Sequence, residues 1–183
     1  MLKTDITRTD SDLEQILALQ EQNLKQHLTE AEKLKEGFLT MQFTTGMLKR
    51  LHDLAPSVIV RDGDRVIAYA IVLLQEGRKY YPDLETMFLN LETVSWQGKS
   101  LQYYNYYVMG QICVDKNYRG RNVFQMLYDK HCEINKDKFD FIVTEISTSN
   151  LRSVRAHEKT GFRTINTYKD YLDEWNVVLW DWK

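Results

Sequence analysis

Cysteine, proline and glycine are all scarce in this chain. Two cysteines, Cys113 and Cys132, stand among 183 residues. Neither has a Cys or His neighbour at metal-ligand spacing, so they read as reduced core thiols, with no disulfide framework and no metal site. Two prolines and eight glycines, without a repeat or a low-complexity tract, mark no linker. The span 1–183 is therefore expected to fold as one domain. An excess of charge is also missing: 24 basic and 26 acidic residues leave a net charge of -2. There is no global basic field to hold nucleic acid, and any basic site must be local. The longest apolar run, Val66 to Leu74, is far short of the ~20 residues that span a bilayer. Met1-Leu2-Lys3-Thr4-Asp5 lacks the apolar stretch of a signal peptide. A cytoplasmic protein without membrane contact is expected.

What is present reads as an alternation of strands and helices. Lys3 to Arg8 is a short strand, and Ser11-Asp12-Leu13-Glu14 has capping-box spacing before a helix carrying Leu13, Ile16, Leu17 and Leu24. Glu30 to Glu36 suits a helix or a loop, and Met47 to Leu51 a short helix that ends before Pro56. Ser57–Arg61 and Arg65–Leu74 flank Asp62-Gly63-Asp64, a hairpin signal. Tyr80 to Leu101 is aromatic and irregular. Then come a strand over Tyr103–Val114, a helix over Arg121–Lys136, a strand over Phe139–Ser147 and a helix over Asn150–Thr160, with Gly161 placed as its C-cap. Phe162–Tyr168 and Trp175–Trp182 supply two last strands. Hairpins in the first half and helical crossovers in the second predict an α/β fold, a mixed sheet with helices on its faces.

The turn Arg119-Gly120-Arg121-Asn122-Val123-Phe124 joins a strand to a helix. Helix N-termini leave N–H groups unpaired and carry partial positive charge, so this is a ready anion site. A polar loop with solvated arginines is the plainer alternative. A second motif lies downstream: Asn150-Leu151-Arg152-Ser153-Val154-Arg155-Ala156-His157-Glu158-Lys159-Thr160-Gly161-Phe162. Together the two segments resemble motifs A and B of the GNAT superfamily, the acyl-CoA-dependent N-acetyltransferases. Asn150, Lys159, Gly161 and Phe162 match outright, and Ser153 is a small residue where alanine is usual. The chain departs from the family at four places. Lys116 stands where proline is common, Asn122 and Phe124 occupy glycine positions, and His157 replaces a tyrosine. Asparagine tolerates a left-handed backbone; Phe124 leaves its amide available only if its ring turns into the core.

The resemblance implies a mostly antiparallel sheet splayed beside its fourth strand, with acetyl-CoA as co-substrate and no metal. Ile112, Cys113 and Val114 would meet the pantetheine arm. The amides of Arg119, Gly120, Arg121, Asn122, Val123 and Phe124 would take the diphosphate. Lys116, Arg119 and Arg121, with Arg155 or Lys159, would meet the ribose phosphate or else be solvated surface. Asn150 would hold the arm or serve as a helix N-cap. The implied reaction is direct attack by a primary amine, with an N–H near Ile112 or Cys113 stabilising the oxyanion. Nothing in the sequence activates Cys113 as a nucleophile.

By position His157 is the candidate acid for the leaving thiolate, against a packed structural histidine. The candidate base is Glu145, with Glu76, Glu85 and Glu92 acting through water as alternatives. The rings of Tyr80, Tyr81, Phe88, Trp96, Tyr103, Tyr104, Tyr106 and Tyr107 form either an acceptor wall or core and subunit interface. The expected partner is a small-molecule amine, without nucleic acid. A homodimer through the tryptophan-rich last strand is open. The alternative function is a catalytically reduced acyl-CoA-binding or sensor module of the same fold.

Overall fold

The β-branched and aromatic runs pair into one seven-stranded sheet. The structure, a computed structural model, describes residues 1–182. In chain order the elements are β1 (Leu2–Ile6), α1 (Asp10–Glu21), α2 (Glu30–Glu36), α3 (Thr45–Leu54), β2 (Val58–Asp62), β3 (Arg65–Leu73) and α4 (Pro82–Thr93). A small β4 (Ser95–Trp96) and β5 (Lys99–Ser100) ribbon precedes β6 (Tyr106–Val114), α5 (Val123–Asn135), β7 (Phe141–Ser147), α6 (Leu151–Thr160), β8 (Arg163–Lys169) and β9 (Glu174–Trp180). The sheet order is β1-β2-β3-β6-β7-β9-β8, antiparallel except for the parallel pair β6/β7 that α5 connects. This is the mixed, mostly antiparallel sheet expected.

Period-two alternation divides the core. Tyr69, Ile71 and Leu73 of β3, with Tyr106 and Val108 of β6, face Leu13 and Ile16 of α1, Leu48 of α3 and Phe88 of α4. Ala68, Ala70 and Val72, with Tyr107 and Met109, face Val123, Leu127 and Tyr128 of α5. Helices thus cover both faces.

Two local expectations are corrected and one open choice is resolved. The first helix is capped by Thr9 with Asp12 at its third position, not by Ser11 with Glu14. Glu30–Glu36 is a helix because Thr29 and Glu32 form a capping box of their own. The segment read as irregular contains α4: Pro82 opens it at N1, Asp83 and Glu85 lie in its first turn, and Leu84, Phe88 and Leu91 are buried along one side.

The feature that positions the site is the parting of β6 from β7. Their ladder runs only from Tyr106↔Phe141 to Val108↔Val143, although β6 continues to Val114 and β7 to Ser147. At that point β6 carries a bulge: Ile71 pairs with Gln111 and Val72 with Met109, leaving Gly110 extra. Only glycine fits there, because a Cβ on Gly110 would lie 2.3 Å from Leu73 Cδ1. The splay that the resemblance implies beside the fourth strand of the sheet is this fork.

Candidate functional site

Two clefts open on the fork. The first, of about 360 Å³, lies against Ile112, Cys113 and Val114 and is floored by the turn before α5 and the start of α6. The second, of about 470 Å³, lies on the far side of Ile112 and is bounded by α4, β7 and the β8–β9 turn. They share Phe38, Leu39, Ile112, Asn150 and Ser153.

The floor of the first cleft is main chain. Gly120 and Asn122 both take left-handed conformations, with φ of 77° and 62°. Asn122 is the N-cap of α5 but makes no side-chain capping bond. From Gly120 to Gln125 no main-chain N–H makes a well-formed hydrogen bond to another described residue; the first amide of α5 that does is that of Met126, to Asn122 O at 3.0 Å. A run of unpaired amides at a helix N-terminus, folded through left-handed positions, is an anion-binding nest. Asn122 thus adopts the backbone usually left to glycine. Phe124 resolves its own conflict: its ring packs edge-on to His157 at 5.1 Å and against Tyr128 at 5.2 Å. The side chain lies between α5 and α6, and the amide stays in the nest.

Along β6 the available groups alternate. Asp115 N–H donates to Ile67 O at 2.9 Å. In an antiparallel ladder the next hydrogen-bonded pair is then Tyr69/Cys113, and the main chain of Ile112 and Val114 faces the fork. The main chain of Cys113 is therefore spent on β3, in contrast to the arm-holding place expected of it. Its thiol is buried, which pushes its pKa up to about 12 and leaves no thiolate for attack. Val114 O already accepts from Arg119 Nε at 3.0 Å.

The basic residues divide differently from the sequence reading. The Arg119 guanidinium is a structural clamp: it donates to Val114 O, to Asn23 Oδ1 at 2.8 Å and to the Glu36 carboxylate. It ties α2 to the end of β6 and leaves only its amide near the nest. Arg121 lies over the Tyr118 ring at 5.2 Å. Lys116, Arg121 and Arg155 do not line the cleft, whereas Lys159 and Arg152 do. Asn150 accepts from Ser153 N at 3.3 Å as the α6 N-cap and donates to Phe38 O at 2.9 Å. Its amide is used in joining α6 to the chain that separates the clefts.

His157 is a packed histidine. Its Nδ1 lies 2.8 Å from Ser153 O, a carbonyl that only accepts, so Nδ1 carries the proton. Nε2 then accepts from Tyr128 OH at 2.6 Å. Burial pushes its pKa down to about 4. At neutral pH it is uncharged and its one proton is held, which corrects the acid role expected from its position.

Glu145 has the opposite setting. It lines the second cleft, shares a hydrogen bond with Tyr168, and leaves Oε1 buried without a partner. Burial, with the nearby Asp170 charge adding to it, raises its pKa to about 7. Among the sequence alternatives, Glu85 and Glu92 are both paired to Arg78, and neither they nor Glu76 line this cleft. None of the eight rings named as a wall lines it either. Tyr106, Tyr107 and Phe88 are buried core. The aromatic lining comes from Phe38, Tyr168, Tyr171 and Trp175, which the sequence reading missed together with Asn90 and Asp170. The available signal was the polar turn Lys169-Asp170-Tyr171-Leu172-Asp173, whose two large apolar residues are 80% and 56% exposed.

Among the described residues no His, Cys, Asp or Glu cluster is arranged to hold a metal, and no helix is long and apolar enough to cross a membrane. The fold is similar to that of an N-acetyltransferase from Staphylococcus aureus Mu50, 17% identical with a TM-score of 0.63, covering 100% of this chain and 99% of that one. It is also similar to the ribosomal-protein-S18-alanine N-acetyltransferase of Escherichia coli, 12% identical with a TM-score of 0.62, covering 99% and 94%. A chain of the NatC complex bound to Gag peptide and CoA is 11% identical with a TM-score of 0.62, covering 100% and 99%. At such identities these likenesses show the fold alone. No curated protein matches the chain by sequence. The model of the acetyltransferase (GNAT) family matches residues 21–162. With that match over most of its length, the chain belongs to the GNAT acetyltransferase family.

Proposed function

We propose that this chain moves an acetyl group from acetyl-CoA to the primary amine of a small molecule by direct attack. One observation carries the reading: the unpaired amides of Gly120–Gln125 stand at one end of an open β6 edge, and the unpartnered Glu145 lines the cleft at the other. The residues present fit acetyl-CoA. The amide nest suits its diphosphate, the Ile112 carbonyl and the Val114 N–H suit the amides of its arm, and Lys159 and Arg152 suit its remaining phosphate.

When bound, acetyl-CoA supplies a thioester whose acetyl carbon is open to attack by a neutral amine. Glu145 prepares that amine. Its free Oε1 accepts the proton that an ammonium must lose, while Tyr168 holds the carboxyl in place. The Ile112 N–H, aimed into the fork, is the donor for the carbonyl oxygen as charge develops on it. The amine nitrogen forms the new N–C bond, the C–S bond breaks, and the nitrogen's remaining surplus proton passes to water. Sulfur leaves with the electron pair, and a thiol of ordinary pKa, about 8.5, needs no dedicated acid in neutral water. This suits a site whose histidine is neutral and fully bonded.

The test pairs calorimetry of acetyl-CoA binding with thiol release over a panel of amines. Binding together with amine-dependent thiol release is the expected result. The rate should rise with pH through about 7, because Glu145 is a base only when ionised and burial places that change there. Binding with no release on any amine leaves an acyl-CoA-binding module and overturns transfer.

A further inference from the structure

The second cleft is acidic, and its one histidine, His157, is neutral with both ring nitrogens bonded. Asp83, Glu145 and Asp170 line it, and no lysine or arginine does. Most of its uncharged polar groups are already occupied. Gln111 donates to Met41 O at 2.7 Å and accepts from Tyr69 OH at 2.6 Å. Thr144 donates to Met109 O at 2.7 Å, and Ser147 to Asp173 at 2.9 Å. An acceptor rich in amides or hydroxyls finds few partners here. A cation finds three carboxylates.

Those carboxylates occupy different depths. Glu145 is the deep one, its Oε1 buried and unpartnered. Asp170 is half-buried, and its Oδ1 accepts from the amides of Leu172 and Asp173 at 2.8 and 2.9 Å, which locks the carboxylate in the β8–β9 turn. Asp83 is exposed on the first turn of α4. Between them the walls are Met41, Met47, Met87 and Leu84. Flexible thioether chains suit a run of methylenes. Tyr171, 80% exposed at the mouth, has no packing role in the core and presents a ring face suited to an ammonium.

We infer that the acceptor is an aliphatic diamine or polyamine: one nitrogen reacts beside Glu145, a second, protonated nitrogen rests against Asp170, and the methylenes between them lie on the methionine wall. Asp83 extends the same pattern to a longer chain. An amine that also carries a carboxylate meets like charge at every turn and is rejected. The inference rests on the acetyl-transfer reading, and the chemical step is the one already given.

The experiment uses the full chain with acetyl-CoA and four acceptors: three of similar reach, 1,4-diaminobutane, n-butylamine and 4-aminobutanoate, and a longer tripeptide amide with a free N-terminus. The expected kcat/KM for the diamine exceeds that for butylamine by about tenfold or more, the effect of one charge-assisted hydrogen bond. The amino acid falls below butylamine. Asp170→Asn keeps the Oδ1 acceptor of the turn but loses the charge, and it should collapse the diamine-to-butylamine ratio toward one. Asp83→Asn, at an exposed position, should narrow the ratio less for 1,4-diaminobutane than for a longer triamine. Equilibrium binding of 1,4-diaminobutane in the presence of CoA should weaken in step with the ratio. Equal rates on diamine and butylamine, or a faster peptide, overturn the inference and leave acetyl transfer standing. Acetyl-CoA binding without turnover on all four overturns both.

Discussion

The two clefts that meet at Ile112 are made of different materials. One binds with main chain: six amides left open by two left-handed residues and the start of a helix. The other binds with side chains, three carboxylates set among methionines and aromatic rings. Main-chain recognition tolerates substitution, because every residue but proline brings an amide. That is how the nest survives asparagine and phenylalanine at positions where the family has glycine. Side-chain recognition has no such tolerance. On the proposed function the first cleft sets what the fold carries, and the second sets what this chain modifies.

The sharpest way to break the contrast is to neutralise the deep carboxylate. Glu145→Gln keeps shape and removes the base, so kcat/KM should fall by about 10²- to 10⁴-fold, with the calorimetric Kd for acetyl-CoA unchanged. The same substitution should stabilise the protein. The Glu145 pKa is raised from 4.5 to about 7 in the fold, so its ionisation opposes folding. That cost is fully present above pH 7 and is gone below the unfolded value. Melting of the variant above pH 7 should show a gain of up to about 3 kcal/mol that vanishes toward pH 4. A variant equally active would separate Glu145 from the chemistry, and one less stable at high pH would overturn its raised pKa.

The complementary change is made in the nest. Gly120→Glu places a carboxylate beside the open amides, where a Cβ meets nothing within 4 Å but must adopt φ of 77°. The Kd for acetyl-CoA should rise about a hundredfold, while the fold loses only about 1–2 kcal/mol of backbone strain. If calorimetry shows unchanged affinity, the amide run is not the diphosphate site.

The smallest functional effect belongs to His157. Both ring nitrogens are bonded and the ring packs against Phe124, Tyr128 and Phe162. His157→Ala should cost about 2–4 kcal/mol of stability in a denaturant melt. Turnover per folded molecule should fall by no more than about fivefold. A loss of turnover as large as that of Glu145→Gln would restore His157 as an acid.

The same division explains what was legible in the sequence. The nest, the helix after it and Asn150 as an N-cap follow from short-range rules, since a turn and its caps lie within a few consecutive residues. The mixed character of the sheet followed from where helices interrupt strands, whereas its strand order did not. Of the second cleft's three acids only Glu145 was picked out as the candidate base, because the cleft brings residues 83, 145 and 170 together from three separate elements. Aromatic density drew attention to Tyr80–Tyr107, yet those rings are largely core, as at Tyr106, Tyr107 and Phe88. Helix α4 was hidden beneath the same density, although Pro82 and the spacing Leu84, Phe88, Leu91 announce it. His157 read as an acid from its place in a motif. Only its neighbours Tyr128 and Ser153, one of them on another helix, reveal a ring with no proton to give.

The extra residue at Gly110 has a last consequence. It lies at the edge of the second cleft, where the β6/β7 ladder has ended, and the clash with Leu73 that a larger residue would suffer ties the bulge at this fork to glycine. The energy of leaving that backbone without a neighbouring strand is spent during folding. On the proposed function an incoming chain of amides meets a slot already open and owes nothing for prying the sheet apart.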